Sequence, residues 1–121
     1  MVETRLTRKT ASHGWPKRGE VYLTALGPAL IIQNDTSNPY SAVTMVAAIT
    51  STVRLPLSPL YVLLPADPST GPTVSSVAVF NQIRAVDRKR LINKLGTVDA
   101  LVLVQVDDAI KAAFGLALSL I

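Results

Sequence analysis

At 121 residues and 49% hydrophobic content, the chain amounts to one domain with enough apolar material to build a core. It has no cysteine and a single histidine, His13, which excludes disulfides, thiolate nucleophiles, cysteine-ligated zinc and any histidine-based site made from this chain alone. A net charge of +4 leans modestly toward polyanionic partners.

A domain this small covers its apolar surface poorly, so oligomerisation is expected before any motif is considered. The N-terminus lacks the apolar segment of a secretory signal, and the apolar tail around Leu116–Ile121 is too short to span a bilayer. The expected location is cytoplasmic, with no membrane partner.

Taken in order, residues 1–17 carry Arg5, Arg8, Lys9 and Lys17 against Glu3, with no apolar period. They are expected to form a mobile basic arm ahead of one domain spanning 18–121. Val21–Leu26 is a strand by composition, and Ala29–Ile32 a second beyond Gly27-Pro28. Thr36–Ser41 is a loop around the Asn38-Pro39 turn signal, and Val43–Thr50 is a third strand, apolar on both faces.

Leu55–Pro59 holds two prolines that cannot donate to a ladder, so it reads as an extended connector into a strand at Leu60–Leu64. Asp67–Pro72 is a loop. Val77–Phe80 returns as a strand and runs into Gln82–Val86. Asp87 is placed to cap a short helix over Arg88–Leu91, and Leu91–Leu95 finishes the sheet. From Asp99 the period becomes helical, with Leu103, Val106, Ile110, Ala113 and Phe114 on one stripe and Gly115 as C-cap. The fold class is mainly β (α+β): a small, strongly bent β-barrel with a short helix and a C-terminal helix.

The chemistry-bearing residues gather at strand ends. Gln33-Asn34-Asp35 closes the second strand and Thr50-Ser51 the third, which brings amides, a carboxylate and two hydroxyls to one barrel edge if the strands are neighbours. Asp35 suits a turn residue satisfying strand-end backbone groups. Amide side chains such as Gln33, Asn34 and Gln82 can serve turns equally or read base edges of single-stranded RNA. Arg18, Arg54 and Arg84 are the arginines near these segments, any one of which could supply a cation to the site, and Arg84 stands three residues before Asp87, a spacing that suits an ion pair.

The stretch Pro28–Ser51, together with Arg18-Gly19-Glu20-Val21-Tyr22, Ser76-Val77 and Asn81–Asp87, closely resembles the MazF/PemK family of RNA-cleaving toxins of toxin–antitoxin modules. The resemblance covers nearly the whole chain in the right order. It implies an SH3-like barrel that forms a homodimer, binds a cognate MazE-like antitoxin and cleaves single-stranded RNA without a metal or other cofactor, by 2′-hydroxyl attack giving a 2′,3′-cyclic phosphate. Carried over residue by residue, it makes Thr50 catalytic and tips Gln82 toward RNA contact. Arg18, Gln33, Asn34 and Ser51 are expected to contact RNA as well.

One element of the family pattern is missing. The family threonine pairs with an arginine standing immediately before the proline of the second strand, at the end of a longer glycine-rich loop. Here that position is Gly27. Either Gly27-Pro28 forms a tight type II′ hairpin, or a longer loop bearing the arginine belongs between Leu26 and Pro28. The second is favoured, because every other motif is kept. Alternatives to the nuclease are an impaired dimer that only binds antitoxin or nucleic acid, and a related toxin acting on another target such as a topoisomerase.

Overall fold

Val21-Tyr22-Leu23 and Ala29-Leu30-Ile31 alternate their side chains between two apolar environments, and the short run between them closes them into a hairpin. The computed structural model describes residues 14–67, 69 and 75–116. The strands are β1 (Glu20–Thr24), β2 (Gly27–Ile31), β3 (Val43–Thr50), β4 (Tyr61–Leu64), β5 (Ser76–Asp87) and β6 (Asn93–Thr97), with 3₁₀ turns at Asn38–Tyr40 and Arg88–Arg90, and helix α1 at Ala100–Phe114. They form one curled antiparallel sheet of six strands in the order β4-β5-β3-β2-β1-β6.

The chain passes directly from Leu26 to Gly27, and Thr24 pairs with Gly27. The arginine-bearing loop expected between the first two strands is therefore absent. The alternative type II′ turn centred on Gly27-Pro28 is also not what forms: Ala25 and Leu26 are the central residues. No described non-glycine residue has positive φ, whereas Gly27 has φ +112°. The mirror-image two-residue turns need positive φ at their first central residue, so the closure is an ordinary turn followed by a glycine bulge. The Thr24 hydroxyl accepts from Leu26 N at 3.2 Å and donates to the Gly27 carbonyl at 2.8 Å, satisfying backbone groups the turn leaves over.

Two apolar layers lie on the two faces of the sheet. One holds Val21, Leu30, Ala47, Val62, Leu64, Ala78 and Phe80, and is closed by Val98, Val106 and Ala109. The other is smaller and holds Ala29, Ile31 and Val46, with Tyr22, Val86 and Leu91 against them. Burial on both faces explains why Val46 and Ala47, in the middle of β3, are both apolar.

Strand β5 is continuous, as the run of Val77–Phe80 into Gln82–Val86 suggested, but it is not regular. Its pairing with β3 steps from Ala48↔Val79 to Ala47↔Ile83, so Phe80, Asn81 and Gln82 bulge out of the ladder. Such a bulge bends the strand and re-aims side chains. Phe80 turns into the core, and Gln82 stays exposed.

Asp87 and Gly115 cap where expected, and Asp99 adds an N-cap to α1. Asp87 accepts from Lys89 N at 2.9 Å, and Asp99 from Val102 N at 3.0 Å, while Gly115 ends α1 with φ +69°. Replacing Asp99 by alanine should cost about 1 kcal/mol, the usual worth of an N-cap. A thermal melt unchanged from that of the native chain would refute that role. Phe114, expected on the core stripe, is exposed instead. Eight residues beyond Val106, the helical rotation carries it about 80° off that line.

At the chain's entry to β1, the Glu20 carboxylate accepts from Lys17 N at 2.8 Å and the Tyr22 hydroxyl at 3.2 Å, and pairs with Lys94 at 3.0 Å. Burial, with the Glu20 charge and hydrogen bond, pushes the Tyr22 phenol up to about 12. Trp15 lies beneath the Arg88 guanidinium at 4.5 Å and Pro16 is buried, so the end of the expected arm packs on the domain. Residues 1–13 of that arm lie outside the described residues.

Candidate active site

The β2–β3 register runs Ala29↔Ala48, Leu30↔Ala47, Ile31↔Val46. Continued by two residues toward the strand ends, it sets Gly27 across from Thr50. Directly opposed positions on neighbouring strands have side chains about 4.5–5.5 Å apart at Cβ. Thr50 and Gly27, where the family pattern calls for an arginine and this chain has no side chain, line the same space. A Cβ built on Gly27 meets nothing within 4 Å, so that space is open.

It opens into a cavity of about 440 Å³ on the sheet face away from α1. Its floor is Ala29, Val46, Ala48 and Val79, and its rim includes the β1–β2 turn, Thr50, Thr52, Tyr61 and Gln82. Among the described residues, the charged side chains lining it are Arg54 and Arg84, and none is a carboxylate. Neither arginine makes an ion pair or hydrogen bond with a described residue, and the expected Arg84–Asp87 pair does not form. The Thr50 hydroxyl accepts from Thr52 N at 3.2 Å, which orients the oxygen and leaves its own proton to donate.

The structure brings Thr50 and Gln82 together in this cavity, but not the other candidates. The Gln33 amide is buried, donating to Asn38 Oδ1 at 2.9 Å and the Val43 carbonyl at 3.3 Å. Asn38 is only 1% exposed; its amide donates to the Gln33 carbonyl, and the Thr44 hydroxyl donates to its oxygen. Asn34 accepts from Ser37 N at 2.7 Å in the following turn. Arg18 donates to the Ile32 carbonyl at 3.1 Å and pairs with Asp107 of α1, while its own N–H donates to Asp35. Ser51 is exposed and does not line the cavity.

The cavity's other members had uneven signals. Arg84 follows Gln82 by two on one strand, so alternation places both on one face. Arg54 comes from a proline-flanked connector without periodicity, and Tyr61 reaches the site only through its pairing with Val79. The described residues contain no cluster of three or more histidine, cysteine, aspartate or glutamate side chains suited to a metal. None of their helices is long and apolar enough to cross a membrane.

The described residues thus form a curled half-barrel backed by one helix, with a strand-end hydroxyl beside an arginine-lined cleft. Residues 17–114 match the model of the PemK-like, MazF-like toxins of type II toxin–antitoxin systems, and the chain belongs to that family. It is similar to the endoribonuclease MazF of Staphylococcus epidermidis, 35% identical over 83% of this chain and 92% of that protein. The endoribonuclease EndoA of Bacillus subtilis is 33% identical over 83% of this chain and 95% of its own length. Among solved structures, a mycobacterial endoribonuclease superimposes with a TM-score of 0.74 at 28% identity, covering 85% of this chain and 94% of that one. A mycobacterial endoribonuclease in complex with its cognate antitoxin gives 0.73 at 27% identity, covering 85% and 98%.

Proposed function

We propose that the protein is the toxin of a toxin–antitoxin pair and a metal-independent, sequence-specific endoribonuclease acting on single-stranded RNA in the cytoplasm. The observation that carries this reading is Thr50, oriented by the Thr52 amide at the mouth of a cavity whose charged groups are both arginines. RNA carries its own nucleophile. Its 2′-oxygen attacks the adjacent phosphorus, the bond to the 5′-oxygen breaks, and a 2′,3′-cyclic phosphate remains. The 2′-proton passes to water and the departing oxygen takes one up. The protein's part is to hold the phosphate and stabilise the charge on its oxygens as the phosphorane forms. A threonine hydroxyl is a poor base at neutral pH, so Thr50 serves as a donor to a phosphoryl oxygen or as a proton relay. The Gln82 amide, exposed on the β5 bulge, is suited to a base edge or a phosphate.

A homodimer is supported by the sheet face on the α1 side. The helix packs against β4 and β5, and beyond it Val43, Met45 and Ala85 continue the core surface into solvent. An acidic antitoxin segment suits the basic chain. The test is incubation of a long mixed-sequence RNA transcript with the protein in EDTA, followed by end-group analysis. Cleavage leaving 2′,3′-cyclic phosphates, by a species sedimenting as a dimer, is expected. Magnesium dependence or 5′-phosphate products would defeat the reading.

A second reading is favoured by Gly27: a dimer that keeps antitoxin or nucleic-acid binding but has lost catalysis along with the arginine. The same assay separates the two, since the impaired form binds the transcript and leaves it whole.

A further inference from the structure

We propose that Arg54 and Arg84 together hold the scissile phosphate opposite Thr50, doing from the connector and from β5 what no side chain at position 27 can do here. This rests on the nuclease reading and assigns that site its anion clamp. Four observations converge on it. The two arginines line the same cavity as Thr50 and Gly27. Neither is engaged by a carboxylate or carbonyl of the described residues, in contrast to Arg18, which is tied to Ile32 and Asp107. No acid of the described residues lines the cavity, so the two positive charges share it without a counter-ion from them. The space in front of Gly27 is empty, which leaves room for a phosphate rather than a side chain beside the Thr50 hydroxyl.

Like charges sharing a partly enclosed space repel, and a phosphodiester relieves that repulsion while accepting from the planar forks of both guanidinium groups. Arg84 sits opposite Val46 on β3, so a rigid strand pair fixes its origin. Arg54 belongs to the connector beyond the end of β3 and lines the same cavity. The clamp is thus split between a sheet residue and a loop residue.

The test uses the full chain, with Arg54→Ala, Arg84→Ala, the double variant and Arg54→Lys. Neither arginine side chain makes a hydrogen bond or ion pair with a described residue, so circular dichroism and melting should match the native chain. On the mixed-sequence transcript in EDTA, the double variant is expected to lose about 10²–10³-fold in single-turnover rate. Added guanidinium should restore part of that loss, and Arg54→Lys should retain more rate than Arg54→Ala. A second arm needs no cleavage: binding of a single-stranded DNA oligonucleotide, which lacks the 2′-hydroxyl, as a function of salt. Losing each phosphate contact should flatten the log–log salt slope by about 0.7. If the native chain fails to cut RNA but its DNA affinity still depends on both arginines, the nuclease reading falls and the clamp stands. Native cleavage unaltered in the double variant, or a salt slope the same as the native chain's, overturns the clamp.

Discussion

Thr50→Ala should abolish most RNA cleavage, by about 10²–10³-fold in single-turnover rate, with the fold unchanged. The hydroxyl makes one hydrogen bond to an exposed amide, Thr52 N, and its removal leaves no buried group unpaired. Its loss therefore costs at most about the usual 0.5–1.5 kcal/mol of a hydrogen bond, too little to mimic inactivation through unfolding. Thr50→Ser keeps the donor and should fall between the native chain and the alanine variant. Circular dichroism separates a catalytic from a folding defect. Full activity in Thr50→Ala would mean that another group supplies the donor.

The second large effect is on stability. Phe80 is 1% exposed and sits among Leu30, Val62, Leu64 and Val106 in the main core, on the bulged part of β5. Truncating such a side chain removes its transfer energy and leaves a cavity, together worth about 3–5 kcal/mol. Set against a total stability of about 5–15 kcal/mol for a domain, Phe80→Ala should leave the chain marginal or unfolded at ambient temperature. Phe114→Ala is the control: that ring is exposed, and surface changes of this kind usually stay within about 0.5 kcal/mol. Urea titration of the two variants reads both. Equal midpoints would show that the core is not organised around Phe80.

Much of this architecture could be read before any coordinates existed, where local chemistry and tertiary structure agree. β3 begins and ends at the residues its composition indicates, Asp87 caps with its carboxylate, and Gly115 caps through the positive φ that glycine tolerates. What could not be read depends on distant partners. Gln33 and Asn34 carry the same amide whether they meet RNA or a neighbour. Only the fold shows Gln33 buried against Asn38 and Val43, and Asn34 spent on its own turn. Arg84 looked like a partner for Asp87, because a three-residue spacing permits it. In a strand that spacing puts the two side chains on opposite faces, and Asp87 was already needed by the backbone of Lys89. Asn81, a poor strand former, marks the interruption in β5, but a bulge of three residues rather than one follows only from the pairing with β3.

The Ala25–Leu26 turn has a consequence for redesign. The entropic cost of closing a loop grows only logarithmically, about 0.6 kcal/mol for each doubling of its length. The turn is solvent-exposed at Leu26, and an added Cβ at Gly27 would meet open space. A longer segment spliced in before Pro28, ending in arginine, would therefore extend a hairpin whose strands are already registered, with no core residue to displace. The protein is thus a receptive host for a grafted loop, and the same barrel could be tuned in reactivity or sequence preference through this one junction, largely independently of its stability.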